Sequence, residues 1–190
     1  MTGLGRVGRP LAGVALWGVL AALAPPPEAW SIDRAGSTID LSVRSFAGVH
    51  TGRFEDWTGD ILVDPDAPER SRATVTVQVR SLRMQPGPAT ERALGPGFLD
   101  AARYPVIRFQ LRALQPEGGG RYTARADLTA RGVTRPVSFP MDLRTEGARA
   151  QMTGGFAFDR ADFGIGTSGV WNGLIDRQVT VRVALQARRA

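Results

Sequence analysis

Apolar and polar residues take turns along most of this chain. Tyr122, Ala124, Ala126, Leu128 and Ala130 fall on one face, and Thr123, Arg125, Asp127, Thr129 and Arg131 on the other. Val137, Phe139, Met141 and Leu143 alternate in the same way with Ser138, Pro140 and Asp142. A period of two is the period of a β-strand. Gly132 supplies the corner, so residues 121–144 read as a hairpin with one oily and one wet face. Alternation also marks Ile39–Val43, Arg53–Asp64 (Trp57, Gly59, Ile61 and Val63 on one side), Ala73–Ser81 and residues 152–158. It returns in residues 106–113, with Ile107, Phe109, Leu111 and Ala113 together, and in the last strand, Gln178–Arg188. Asp64-Pro65-Asp66 is a turn signal. Residues 84–104 lose the period and are rich in Pro and Gly. They predict a loop with short helix across an open edge or end of the sheet.

The pattern gives about eight short-looped sequential strands in one domain, with no repeat, linker or long helix. Such a meander removes its edges by closing into an up-and-down antiparallel barrel; a two-sheet sandwich is the alternative. A barrel near eight strands is either filled by its own side chains or holds one small ligand. The residues at stake are Leu41, Phe54, Ile61, Val77, Phe109, Leu128, Phe139, Met141 and Phe156, all on oily faces. Trp57, Phe163 and Trp171 are candidates to flank an opening, and Phe163 joins the ligand-binding set. Trp171 lies in the Gly-rich stretch DFGIGTSGVWNG, where it either stacks on a ligand's head group or anchors the loop.

Residues 1–29 break the pattern. Arg6 and Arg9 precede an uncharged run, Leu11 to Ala24, which is ended by Pro25 to Pro27. The run is short for a membrane span of about 20 residues and has the form of a signal peptide's apolar core. The expectation is a leader at 1–29 and an exported chain from 30 to 190.

Composition narrows the chemistry. The chain has 190 residues and no cysteine, which excludes disulfides, thiol nucleophiles and cysteine-held metals. All 24 basic residues are Arg, and the formal charge is +6. Loss of the leader removes two Arg and one Glu, leaving +5. The arginines are spread over polar faces rather than clustered, which argues for a solvated surface and against a nucleic-acid partner. The one histidine, His50, has no companion at ligand spacing, so no zinc site is expected. Gly164 and Gly166 do not lie in a βαβ unit, so they make no nucleotide cradle. Asp159, Arg160 and Asp162 predict an ion pair tying the loop to the barrel rather than acid–base catalysis.

Four blocks carry a family resemblance: WSID followed by STIDLSVRSF; GRFEDWTGDILVDPDAPERSRATVTVQVRSL; LGPGFLDAARYPVIRFQL; and YTARADLTARGVTRPVSFPMDL. DRADFGIG adds a fifth signature near the end. Together they resemble the YceI-like family of secreted lipid-binding proteins. The resemblance implies a lipocalin-like barrel with an apolar tunnel, and a periplasmic, non-enzymatic carrier of a long-tailed amphiphile. The implied ligand is a non-covalently held isoprenoid or quinone-type lipid, with no other cofactor. It also implies homodimers and, in some members, a cytochrome b561-type membrane redox partner. The alternative is a non-catalytic interaction protein with a filled barrel that docks such a partner. The chain departs from the family in having Ser45 after Arg44 and Gly97 before Phe98. Arg44, His50 and Arg92 are the candidate head-group contacts.

Overall fold

The computed structural model describes residues 28–64 and 67–189. Ten antiparallel strands form there. They are β1 (Glu28–Ser45), β2 (Gly48–Phe54), β3 (Trp57–Val63), β4 (Arg72–Gln78), β5 (Leu82–Gln85), β6 (Val106–Gly118), β7 (Arg121–Ala130), β8 (Val133–Glu146), β9 (Arg149–Asp159) and β10 (Ile175–Arg189). Two short helices, α1 (Pro88–Leu94) and α2 (Trp171–Leu174), interrupt them. Most of the predicted leader, and Pro65 and Asp66 of the predicted turn, lie outside the described residues. Glu28 and Ala29, assigned to the leader by sequence, pair with Val63 and Leu62 as the first residues of β1.

Eight strands close the barrel in the order β1, β3, β4, β6, β7, β8, β9, β10. Closure comes from β10 pairing back on β1, from Trp30↔Arg189 to Ser45↔Ile175. The sandwich alternative is therefore excluded. β1 is long enough to change partners: its start lies beside β3 and its end beside β2, which in turn pairs with β5. A bulge between Asp33 and Thr38 bends it. The buried Ser37 hydroxyl donates to the Asp33 carbonyl at 2.6 Å and accepts from the Gln186 N–H at 2.9 Å. The bend therefore keeps these backbone groups paired.

Two strands predicted as straight are bent. Phe54 and Trp57 are both buried although three residues apart, as are Val79 and Leu82. Strict alternation would turn one of each pair outward. The chain instead steps through Glu55-Asp56, and through a 3₁₀ turn at Val79–Ser81. The two bends are joined by Gln78 N–H donating to Asp56 O at 2.9 Å and Glu55 N–H to Ser81 O at 3.3 Å. The predicted parity of β6 also fails at one point. The ladder shifts between Leu111 and Ala113, so Leu114, not Ala113, turns inward and is 3% exposed.

Connections alternate between the two ends of the barrel. One end, the simple-turn end, carries the β6–β7 and β8–β9 turns and the β3–β4 connection with its 3₁₀ turn at Pro68–Arg70. The other carries the β1–β2 turn, α1 and the rest of the 86–105 segment, the β7–β8 turn and the 160–174 loop. At that second end Arg131 and Gly132 both have positive φ (48° and 74°), the backbone of a two-residue type I′ turn. A Cβ on Gly132 would stand 3.2 Å from the Tyr104 ring. Arg131 donates to Gly164 O and Pro96 O, and Gly166 N–H donates to Gly97 O at 2.9 Å. The three loops are thus fastened over one end, with the 84–104 segment as the predicted cover.

Candidate ligand-binding site

Inward positions of the eight strands do not meet in the middle. They surround a cavity of about 180 Å³. It runs from Trp30, Leu143 and Ala150 at the simple-turn end to Leu99, Ala130 and Ile165 under the fastened loops. Among the described residues that line it, only Ser71 and Arg72 are polar, and both belong to the simple-turn end. The Arg72 guanidinium is turned onto the Glu69 and Ser71 carbonyls, at 3.0 and 2.8 Å. The buried Trp30 indole N–H, at the same end, has no hydrogen-bond partner among the described residues.

The wall owes its shape to side-chain size. Ala124 shares a cluster with Phe109 and Phe139, and Ala130 one with Phe156 and Phe158, whereas Ala150 lies with Trp30 and Leu143. Phe109 and Phe139 have centroids 6.1 Å apart, and Phe139 and Phe156 lie 5.1 Å apart. Phe158 continues the series toward Phe163, which it meets edge-on at 5.2 Å. One stripe of rings therefore runs along the cavity. Rings offset in this way gain from their edge–face electrostatics as well as from burial.

Eight of the ten residues singled out by sequence line the cavity: Phe54, Ile61, Val77, Phe109, Leu128, Phe139, Met141 and Phe156. Leu41 and Phe163 do not. Leu41 packs onto the side-chain cluster around Ile39 and Phe54. Phe163 is 2% exposed and packs with Leu128, Ala130 and Ile165 in the plug beneath the loops. Trp57 is buried in the wall rather than beside an opening. Trp30, Leu114, Leu99 and Val181 are lining residues not singled out by sequence. Leu114 was hidden by the bulge, whose one signal is the pair Arg112-Ala113 where alternation demands one residue.

None of Arg44, His50 and Arg92 lines the cavity. The Ser45 hydroxyl and His50 Nε2 lie 2.8 Å apart, within the β1–β2 turn. Arg92 stacks on Trp171 with its guanidinium 4.0 Å from the ring centroid. Trp171 thus anchors its loop to α1.

The charged knot differs from the predicted ion pair. Arg160 is 1% exposed and, among the described residues, donates to five carbonyls and no carboxylate. Nε reaches Asp176 O at 2.9 Å; Nη1 reaches Ile165 O and Gly166 O at 2.8 and 2.7 Å; Nη2 reaches Asn172 O and Ile175 O at 3.1 and 2.7 Å. Burial lowers its pKa from the usual arginine value. A guanidinium fits here because its donors form a planar fork matching several carbonyls at once. Asp159 instead accepts from Ala161 N–H at 2.8 Å and pairs with Arg177 at 2.8 Å. These groups hold a loop, away from the cavity.

Comparisons with known proteins agree with this fold. The sequence matches the YceI-like domain over residues 30–187. The chain belongs to the YceI-like domain family. Similar curated proteins include a UPF0312 protein of Pseudomonas syringae pv. tomato, 28% identical over 159 residues, covering 78% of this chain and 82% of that one. A UPF0312 protein of Shewanella baltica is 28% identical over 157 residues, covering 77% and 82%. The fold is similar to the crystal structure of Burkholderia cenocepacia BcnA, with TM-score 0.77, 23% identity and 82% and 99% of the two chains covered. It is also similar to a domain from Saccharophagus degradans described as polyisoprenoid binding, with TM-score 0.67, 16% identity and 86% and 99% covered.

Proposed function

We propose that this YceI-like protein is a periplasmic carrier that holds the long tail of an isoprenoid-type amphiphile inside its barrel and does no covalent chemistry on it. The observation that carries the reading is the cavity, apolar along the whole barrel, with its polar lining confined to one end. A site that holds one water needs about 10–15 Å³ by this measure. The cavity therefore has room for a chain of about a dozen or more water-sized groups, the scale of a hydrocarbon tail rather than of a trapped solvent molecule.

Each square ångström of tail removed from water contributes about 25 cal/mol, without directional contacts. Such a wall selects for length and cross-section, not for a particular functional group. The stripe of phenylalanine rings presents flat, polarisable faces to a branched, unsaturated chain. The polyisoprenoid-binding description of the Saccharophagus degradans neighbour agrees with this ligand class. The same cavity weighs against a filled barrel acting only as a docking module. A prenyl quinone is the member of the class that would link the barrel to a cytochrome b561-type partner.

Native mass spectrometry of protein purified from its own host, followed by lipid extraction, tests the reading. A co-purifying hydrophobe of isoprenoid type is expected, as is saturable binding of prenyl quinones by the delipidated protein. Protein that carries no hydrophobe and binds none of the prenyl quinones overturns it.

A further inference from the structure

The loop end carries a feature that the cavity does not use. Phe46 is 75% exposed, Val170 72%, Val49 55% and Leu174 37%. Four large apolar side chains in water at one place are unusual for a soluble surface. They come from only two segments, the β1–β2 turn and the 167–174 loop. Phe46 N–H donates to Leu174 O at 3.0 Å, and Ser45 pairs with Ile175, so the segments are joined. The patch is therefore one backbone-linked tip carried by two joined segments.

Cations border the tip. Arg44 lies directly across from Val49 in the β1–β2 ladder, with its side chain 71% exposed. Its contact with Asp176 is long, 3.9 Å, and open to solvent. Arg92, also exposed, lies over Trp171 next to Val170. Apolar side chains at the loop end, bordered by arginines and a tryptophan, suit a bilayer interface, where an acyl boundary adjoins phosphates and headgroups.

We propose that this tip docks the barrel onto an anionic lipid bilayer. Phe46, Val49, Val170 and Leu174 enter the headgroup–acyl boundary, and Arg44 and Arg92 meet lipid phosphates. The net charge of +5 expected once the leader is lost favours the same approach. Docking would bring the Leu99 and Ile165 end of the cavity toward the bilayer, the source of any amphiphile the barrel carries. The inference concerns the outer surface and stands apart from the cavity reading, because none of these residues lines the cavity.

The absence of cysteine makes the test direct. A single cysteine at Phe46 or Val170, carrying an environment-sensitive fluorophore, is compared with one at Gly119 in the β6–β7 turn, at the opposite end. With phosphatidylglycerol vesicles, blue shifts are expected at 46 and 170 and not at 119. With phosphatidylcholine vesicles, or in high salt, the shifts shrink. Phe46→Ser with Val170→Ser lowers the vesicle partition coefficient roughly tenfold or more, as expected from the apolar area withdrawn. Prenyl-quinone binding measured without vesicles stays unchanged in that variant, which separates failure of docking from failure of the cavity reading. Equal shifts at all three sites, binding that ignores lipid charge, or no vesicle binding overturns the proposal. So does a dimer in sedimentation that Phe46→Ser dissolves, since a second copy would then be what covers the tip.

Discussion

Ala73 shows how little separates a barrel with a cavity from a filled one. It faces inward on β4, opposite Ile61, and keeps partial exposure although it lines an interior space. A larger residue there grows into the cavity instead of into a packed neighbour. Ala73→Phe, which also suits a strand, is expected to weaken binding of a prenyl quinone at least tenfold while leaving the melting temperature equal or higher. Fluorescence titration and calorimetry on one sample check both halves; a variant that binds normally removes Ala73 from the site. Arg160 makes the opposite kind of demand. Its five carbonyl partners lose their donor together in Arg160→Met, and each buried acceptor left unpaired costs about 1–3 kcal/mol. We expect a loss of at least about 3 kcal/mol in denaturant unfolding. Arg160→Lys should recover little, because an ammonium has three donors and no fork. Full rescue by lysine would show that charge, not geometry, holds the loop.

At the scale of elements, the β7–β8 hairpin binds the wall to the loop end. Its turn demands positive φ at Arg131 and Gly132. Gly132→Ala pays about 1–2 kcal/mol for a left-handed residue with a side chain, and the new methyl also presses on Tyr104. Chemical denaturation should show that loss with an unchanged m-value, and no loss at all would mean that the turn relaxes. This hairpin was fully legible in the sequence, because alternation and a turn glycine are both local signals. The barrel was legible too, since each strand shows one oily face and successive strands have short links. Bends were not. The Phe54/Trp57 and Val79/Leu82 spacings satisfy burial only if the chain kinks, and only the partner strand decides where. The bulge that exchanges Ala113 for Leu114 is fixed by the β7 register, which no single segment encodes. Leu41 faces inward on β1 without touching the cavity, since facing inward is a property of a strand, whereas touching the cavity depends on what packs in front. Phe163 stands in the turn at Arg160–Phe163 and packs in the plug beneath the loops. Arg160 was read as an ion-pair partner because carboxylates flank it, while its actual acceptors are carbonyls up to sixteen residues away.

For the whole molecule, the cavity sets a relation between stability and cargo. The folded barrel has the cavity and the unfolded chain does not, so any ligand that fits binds only the native state. Its stabilisation is then RT ln(1 + [L]/Kd), about 2.7 kcal/mol at a hundredfold excess over Kd. For a domain of this size that corresponds to roughly 5–10 °C in melting temperature. The delipidated protein should therefore melt below the protein as purified from its host, and added prenyl quinone should restore the difference. Ala73→Phe supplies the internal control: with part of the cavity taken by its own side chain and binding at least tenfold weaker, its melting temperature should rise by about half as much as the parent's, or less, at the same lipid concentration. The Phe46→Ser, Val170→Ser variant should respond as the parent does, its changes lying outside the barrel. If the parent's melting temperature is unmoved by saturating prenyl quinone, the space between the strands is not a lipid site, whatever its shape. If Ala73→Phe responds as fully as the parent, the stabilising lipid is bound on the outside of the barrel.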